Sequence, residues 1–148
     1  MISSILIPTD FSPASWQAAQ LGVELSRIYG DATISFLHIY PISSKYAHKN
    51  GPKVNDSQLE EVKHRMNQLS HDISDLSDDR IQNVVLSGNV EETMMQFIKD
   101  HNFDLVIVGI NSNGHDNEIG SHTVRVIKES GVPVMIVPNR TSHGAIAS

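Results

Sequence analysis

The sequence predicts an α/β fold, a Rossmann-like three-layer sandwich in which four helices cover a five-stranded, mainly parallel sheet. Two observations predict it. Short apolar runs alternate along the chain with longer segments whose apolar residues recur at helical spacing. The short runs are continuous, which is typical of strands buried on both faces in a parallel sheet. The 148 residues suffice for one domain, so we expect a single domain over 1–148, with 139–148 as a flexible tail.

Five segments are predicted to be strands because each is short, apolar and rich in β-branched residues. Proline or glycine stands near their ends, where the chain must turn. The third segment has the weakest pattern, and the fifth is bracketed by Pro133 and Pro138. The predicted strands cover residues 5–7, 33–40, 81–86, 105–108 and 134–137.

Four amphipathic segments separate these strands. The first begins after the predicted N-cap Ser12 and ends at Gly30. The second covers about residues 58–76, the third follows the N-cap Asn89, and the fourth covers about residues 121–130. By its spacing the first helix is predicted to bury one apolar face, formed by Ala14, Ala18, Leu21, Leu25 and Ile28.

A lysine-containing stretch, residues 41–55, separates the second strand from the second helix. Loops of this length are uncommon unless they are functional or disordered. We interpret it as a solvated insertion, with a lid over a site as the alternative.

The charge, the cysteine count and the apolar runs of the chain argue against several classes of function. The formal net charge of −6 argues against nucleic acid as the main partner, because phosphate backbones favour clustered lysine and arginine. The absence of cysteine excludes disulfides and thiolate chemistry. No apolar run approaches the length of a membrane span, and the first residues do not resemble a signal peptide. We therefore expect a cytoplasmic protein.

The strongest candidate site follows the fourth strand, where Gly109 opens a polar loop that leads to Gly120-Ser121 at the start of the last helix. Glycine permits close approach to a ligand, and a helix N-terminus attracts anions. A phosphate site and a simple tight turn both fit this pattern. Ligands of parallel sheets bind where the strand order reverses. If the first and fourth strands are neighbours there, Asp10 and Gly109 face one crevice.

Other chemistries fit less well. His115, Asp116 and His122 have no recognised metal-ligand spacing. The sequence lacks the G-x-S-x-G elbow of hydrolases, and Pro8-Thr9-Asp10-Phe11 is not the glycine motif of a dinucleotide site. No set of nucleophile, base and orienting residue is visible. We therefore predict no catalytic residues and no metal site.

Several segments occur together, in order, over nearly the whole chain. ILIPTDFS leads into an alanine-rich helix, FLHIY forms the second strand, and DLVIVG, a Gly-Ser helix start and GVPVMIVP follow. Together they resemble the universal stress protein family. The resemblance implies a five-stranded parallel sheet and, commonly, a homodimer. Many members of that family bind ATP, and others do not.

ATP-binding members usually carry a glycine, two residues, a second glycine, about nine residues, and then Gly-Ser or Gly-Thr. Gly109 matches the first glycine, Ser112 stands at the second, and Gly120-Ser121 follows two positions early. The resemblance maps adenine and ribose contacts onto Pro8, Asp10 and Ile39, and phosphate contacts onto the loop and helix start. The implied nucleotide-binding residues are Pro8, Asp10, Ile39, Val108, Gly109, Ser112, Gly120, Ser121 and Thr123.

The phosphate loop departs from the family pattern. Ser112 adds a Cβ where close approach is needed, and Asp116 and Glu118 repel phosphate unless a cation such as Mg²⁺ lies between them. The function we predict is a stress-response module that binds ATP or another adenine nucleotide and is not an enzyme, with weak ATP hydrolysis left open. The alternative is a nucleotide-free regulatory module of the same family.

The fifth strand is the predicted dimer interface. It is the last strand of the sheet, so we expect it at an edge, where unpaired backbone groups are exposed. The resemblance implies the same edge. We predict a homodimer in which the two copies of this strand meet antiparallel, through Val134, Met135, Ile136 and Val137. We predict neither a membrane nor a nucleic-acid partner.

Overall fold

Five strands alternate with four helices in the computed structural model of the protein, which describes residues 2–30, 32–41, 56–73, 80–111 and 118–139. The strands are β1 (Ser4–Pro8), β2 (Thr33–Pro41), β3 (Ile81–Gly88), β4 (Leu105–Asn111) and β5 (Val134–Asn139). The helices are α1 (Pro13–Ile28), α2 (Asp56–Ile73), α3 (Val90–Asp100) and α4 (Glu118–Ser130). Within these residues, no helix is long and apolar enough to cross a membrane.

All neighbouring strands are parallel, and the sheet order is β3-β2-β1-β4-β5. The chain adds β2 and β3 on one side of β1, and then returns to add β4 and β5 on the other. The order therefore reverses between β1 and β4, as the sequence analysis supposed. The predicted fold class is confirmed.

The core consists of two apolar layers, one on each face of the sheet. Ile5, Ile7, Phe36 and Ile107 lie on the face that α1 and α2 cover, with Met66 of α2 beside them. Leu6, Leu37 and Val106 lie on the other face, against α3 and α4. Alternate residues of the central strands thus enter opposite layers, as expected for a sheet with helices on both sides.

The predicted buried face of α1 is wrong in its C-terminal half. Ile28 is 74% exposed, and Leu21 and Leu25 are only half-buried. Small residues make the contact because this helix lies very close to the sheet; a Cβ on Gly22 would stand 2.3 Å from Ile7 Cδ1. The buried residues of α1 are Ala14, Ser15, Ala18, Ala19, Gly22, Val23 and Ser26.

Several strands and helices also begin or end at residues other than those predicted. β4 continues past Gly109 because it stays paired with β5 as far as Asn111, opposite Asn139. Asn139, expected in the tail, is therefore buried in β5. α4 begins at Glu118 rather than Ser121. Of the loop or lid expected over 41–55, Pro41 belongs to β2 and residues 42–55 lie outside the described residues, as does the tail beyond Asn139.

Three residues that were predicted to begin or end helices are confirmed in those roles. Ser12 caps α1 by accepting from Ser15 N at 3.2 Å, and Asn89 caps α3 by accepting from Glu92 N at 2.9 Å. Gly30 follows α1 with a φ of +59°, a left-handed conformation that glycine adopts at low cost.

Asp104 joins the beginnings of β1 and β4 at the amino edge of the sheet. Its Oδ2 accepts from Ser3 N at 2.8 Å, Ser3 Oγ at 3.0 Å and Ser4 N at 3.0 Å. The backbone N–H of Ser3, then its hydroxyl, and then the N–H of Ser4 hold the pKa of Asp104 below its ordinary value of 3.8.

We expect this interaction to make stability depend on pH at the acid end. A lowered pKa means that the carboxylate stabilises the fold above 3.8 and loses that contribution as the pH falls through the folded-state pKa. Asp104→Asn should therefore unfold at a lower urea concentration than wild type at neutral pH, and the unfolding midpoints of the two proteins should converge in acid. Urea titrations at a series of pH values test this. A difference in midpoint that stays constant with pH would contradict it.

Candidate functional site

The loop between β1 and α1 carries the predicted residue Asp10 at the carboxyl edge of the sheet. Asp10 Oδ1 accepts a hydrogen bond from Ser12 N at 2.9 Å, which closes a tight turn ahead of the helix. Ser12 itself caps α1. Asp10 therefore does not replace Ser12 as the cap. Its one polar contact within the described residues uses Oδ1.

Buried hydroxyls fix the shape of this loop. Thr9 Oγ1 accepts from Phe11 N at 3.0 Å and donates to Ser15 Oγ at 3.1 Å. Ser15 Oγ in turn donates to Ser12 O at 2.9 Å. Thr9 and Ser15 are both buried, so these hydrogen bonds satisfy groups that would otherwise destabilise the fold. The network holds Asp10 in a defined position.

His38 of β2 supports the same loop, and sequence reasoning missed it. His38 Nδ1 lies 2.8 Å from Thr9 O and must donate, because a carbonyl oxygen only accepts. Phe11 packs on the imidazole with ring centroids 4.8 Å apart, and the Arg65 guanidinium lies 5.0 Å from the Phe11 ring centroid. Phe11 has a φ of +64°, a strained value for a non-glycine residue. The only local sequence signal was a histidine at the end of a strand.

Three predicted apolar site residues lie on the three central strands. Pro8 ends β1 opposite Leu37, and it is buried. Ile39 and Val108 are buried in the layer that α3 and α4 cover. Ile39 lies two residues before the end of β2, and Val108 is the middle residue of β4.

Gly109 is required by packing. A Cβ at this position would lie 2.0 Å from Ala14 O, 2.4 Å from Ala14 C and 2.9 Å from Ser15 N. The first turn of α1 thus fills the space that a side chain would need. This contact accounts for the glycine without a ligand, although Gly109 still lies at the switch point between β1 and β4.

The last predicted residues belong to the start of α4. Gly120, Ser121 and Thr123 all lie within this helix, and Gly120 is its third residue. The first backbone N–H groups of a helix have no partner inside it and carry the positive end of its dipole. Ser112 lies outside the described residues.

A separate cleft opens between α1 and α2. It is lined by Phe11, Ser12, Ser15, Trp16, Arg65, Gln68, Leu69 and Asp72. Ser12 and Ser15 already use their hydroxyls in the cap and loop network. The described residues contain no cluster of three or more His, Asp or Glu side chains able to hold a metal ion.

The reversal of strand order at β1 and β4 defines a doubly wound α/β protein, a class that binds ligands beyond the carboxyl ends of its strands. The sequence model of the universal stress protein family matches residues 1–138. The chain belongs to the universal stress protein family.

Its similarity to known members extends over the whole fold. A universal stress protein of Methanocaldococcus jannaschii is 23% identical over 161 residues, covering 96% of this chain and 98% of that protein. Its solved structure matches with a TM-score of 0.71 and 25% identity, covering 96% of this chain and 99% of the other.

Two other solved relatives hold nucleotides. A universal stress protein in complex with cAMP matches with a TM-score of 0.67 and 16% identity, covering 95% of this chain and 99% of that one. A family member from Arabidopsis thaliana with AMP bound matches with a TM-score of 0.62 and 16% identity, covering 95% and 94%. At this identity the likeness shows the shared fold.

Proposed function

We propose that this protein binds an adenine nucleotide in the crevice between the ends of β1 and β4, as a stress-response module rather than an enzyme. The observation that carries the proposal is that the strand order reverses between β1, which precedes Asp10, and β4, which contains Gly109 and precedes α4. The cAMP and AMP complexes of two relatives with the same fold support an adenine nucleotide as the ligand.

Each part of the crevice suits one part of the nucleotide. Asp10 accepts hydrogen bonds from ribose hydroxyls or the adenine amine, and its Oδ2 has no contact among the described residues. Pro8, Ile39 and Val108 are buried, so their role in this proposal is apolar packing behind the base. The backbone N–H groups at the start of α4, with the residue types Ser121 and Thr123, suit a phosphate group.

The expected phosphate loop sets the preference among nucleotides. By sequence, the serine in place of glycine at Ser112 and the carboxylates of Asp116 and Glu118 disfavour a triphosphate. We expect nucleotides with one phosphate to bind at least as well as ATP in the absence of a divalent cation. Mg²⁺ should favour ATP if it screens Asp116 and Glu118 from the phosphates.

A nucleotide-free module is the second candidate, and two contacts favour it. Packing against Ala14 explains Gly109, and the hydrogen bond to Ser12 N explains Asp10. Both residues therefore have structural roles that need no ligand. Such a module would act through its surfaces.

Native mass spectrometry of the purified protein, followed by calorimetry with ATP, ADP, AMP and cAMP, separates the two candidates. Co-purified nucleotide, or saturable binding of any of the four ligands with and without Mg²⁺, supports the first. A protein that purifies without nucleotide and shows no heat of binding at millimolar concentration would overturn it.

Asp10 provides the residue-level test. Asp10→Ala should weaken nucleotide binding by about 1–3 kcal/mol if a charge-assisted hydrogen bond is lost. Asp10→Asn keeps an oxygen for Ser12 N, so it should retain thermal stability while losing the part of the affinity that depends on charge. If both variants bind as wild type and only the alanine variant melts lower, Asp10 is a turn residue and not a ligand contact.

We further propose that the protein forms a two-fold dimer through β5. The strand lies at one edge of the sheet, and Met135 and Ile136 are 37% and 41% exposed. Val134 and Val137 are half-buried beside them. Antiparallel pairing of two β5 strands would satisfy their exposed backbone groups and cover these side chains.

A further inference from the structure

The other edge of the sheet, β3, is open and unusually unprotected. β3 pairs with β2 along its whole length of eight residues, and no strand among the described residues pairs with its outer side. Natural edge strands are commonly short or carry charged residues and proline, which discourage pairing with other chains. The sequence of β3, IQNVVLSG, contains neither a charged residue nor a proline, whereas β5 contains Pro138.

Two clefts flank this edge, one on each face of the sheet. On the α2 side, the β3 residues Asn83, Val84 and Val85 line a cleft of about 450 Å³ together with Lys63, Met66 and Asn67. On the α3 side, Leu86 lines a cleft of about 560 Å³ together with Glu92, Thr93, Gln96, Phe97, Asp100 and His101. β3 therefore contributes side chains to a shallow cleft on each face of the sheet.

Side chains along β3 alternate between the two faces of the sheet, as those of an added strand would. Side chains of a strand point to opposite faces in turn, and so do those of β3: Val85 packs with the layer under α2, whereas Val84 and Leu86 pack with the layer under α3. A segment hydrogen-bonded to β3 would place every second side chain in each cleft. Such strand addition is an established mode of peptide recognition.

Charge distinguishes the two clefts. The α3 cleft carries two exposed carboxylates, Glu92 and Asp100, and the described residues that line it include no lysine or arginine. Asp100 Oδ1 accepts from Gln96 Nε2 at 2.9 Å, which orients that carboxylate. The α2 cleft carries Lys63, which lies 4.0 Å from Glu60. An occupant of the α3 cleft is favoured if it is cationic.

The same charges disfavour a second copy of this chain as the occupant. Antiparallel pairing of two β3 strands about a two-fold axis would bring the two α3 flanks to the same face of the joint sheet. Glu92 and Asp100 of one copy would then approach those of the other, and like charges repel. The overall net charge of −6 adds to that repulsion.

We propose that the β3 edge is a docking site for an extended segment of a partner protein, in which lysine or arginine alternates with apolar residues. The basic side chains enter the α3 cleft and meet Glu92 and Asp100. The apolar side chains enter the α2 cleft beside the half-buried Val85. This site lies at the opposite edge from β5 and is independent of nucleotide binding.

Defined peptides test the proposal on the full chain. The probe is a blocked, fluorescently labelled peptide of about nine residues that alternates valine with lysine, long enough to cover β3. One comparison peptide replaces lysine with glutamate, and a second has the same composition arranged as a valine block and a lysine block. We expect the alternating lysine peptide to bind at least about tenfold more tightly than either, by fluorescence anisotropy. Amide NMR shifts should concentrate in β3 and its flanks.

Matched variants of the protein separate this site from net charge. Glu92→Lys with Asp100→Lys should weaken the peptide by about tenfold or more. Glu24→Lys with Glu129→Lys makes the same change in charge on α1 and α4, and should have a much smaller effect. If the first pair fails to fold, Glu92→Gln with Asp100→Asn replaces it. Equal weakening by the two pairs, equal binding of the three peptides, or NMR shifts away from β3 would overturn the proposal.

Discussion

Gly109→Ala is expected to destabilise the protein by about 3 kcal/mol, the upper part of the range for overpacked cores. The new methyl group would meet Ala14 O at 2.0 Å and Ala14 C at 2.4 Å. Both are backbone atoms of the first turn of α1, so no rotamer change can relieve the contact. The helix itself must move away from β4, and the buried hydroxyl network of Thr9 and Ser15 would be disturbed with it.

Gly22→Ala is the matched control, because it adds the same methyl group at the same layer of the core. There the nearest atom is Ile7 Cδ1 at 2.3 Å, the end of a side chain that can adopt another rotamer. Alanine also gains about 1 kcal/mol of helix propensity over glycine, which offsets the repacking. We expect a change within about 1 kcal/mol.

Urea unfolding of the two variants and wild type measures both effects. A Gly109→Ala variant as stable as Gly22→Ala would show that α1 yields easily and that Gly109 is retained for another reason.

Local sequence signals predicted the elements and their order, because those signals act over a few residues. Ser12 and Asn89 are confirmed as caps since capping depends on the residue and the helix that follows it. The continuous apolar run before Gly109 correctly indicated a doubly buried strand. The neighbouring positions of β1 and β4 required only the assumption of a doubly wound sheet.

What sequence reasoning missed depends on contacts between distant segments. Leu25 and Ile28 have helical spacing, yet the closeness of α1 to the sheet selects Ala18, Ala19 and Gly22 for the buried face. Periodicity records which residues are apolar and not how near the sheet lies. The hydrogen bond from His38 to Thr9 O joins positions 29 residues apart, so no local pattern could indicate it.

The proposed β5 dimer has a geometry that a single charge can test. Met135 lies in the register opposite Ile107 and Ile136 opposite Val108, so the two exposed side chains point to opposite faces of the sheet. Across a two-fold axis, Ile136 of one protomer approaches its counterpart or a near neighbour on the partner strand. A lysine at this position places two like charges close together, where they repel. It also buries those charges against apolar side chains, where they lose hydration.

Ile136→Lys is therefore expected to raise the dimer dissociation constant by about 100-fold or more, since each of the two copies loses an apolar contact and gains a charge. Light scattering and sedimentation at tens of micromolar should report a wild-type dimer and a monomeric variant. Ile28→Lys is the control, because Ile28 is 74% exposed on α1 and the change in side chain is identical; it should remain dimeric. A wild-type monomer at this concentration would refute the dimer, and an Ile136→Lys protein that stays dimeric would place the interface on another surface.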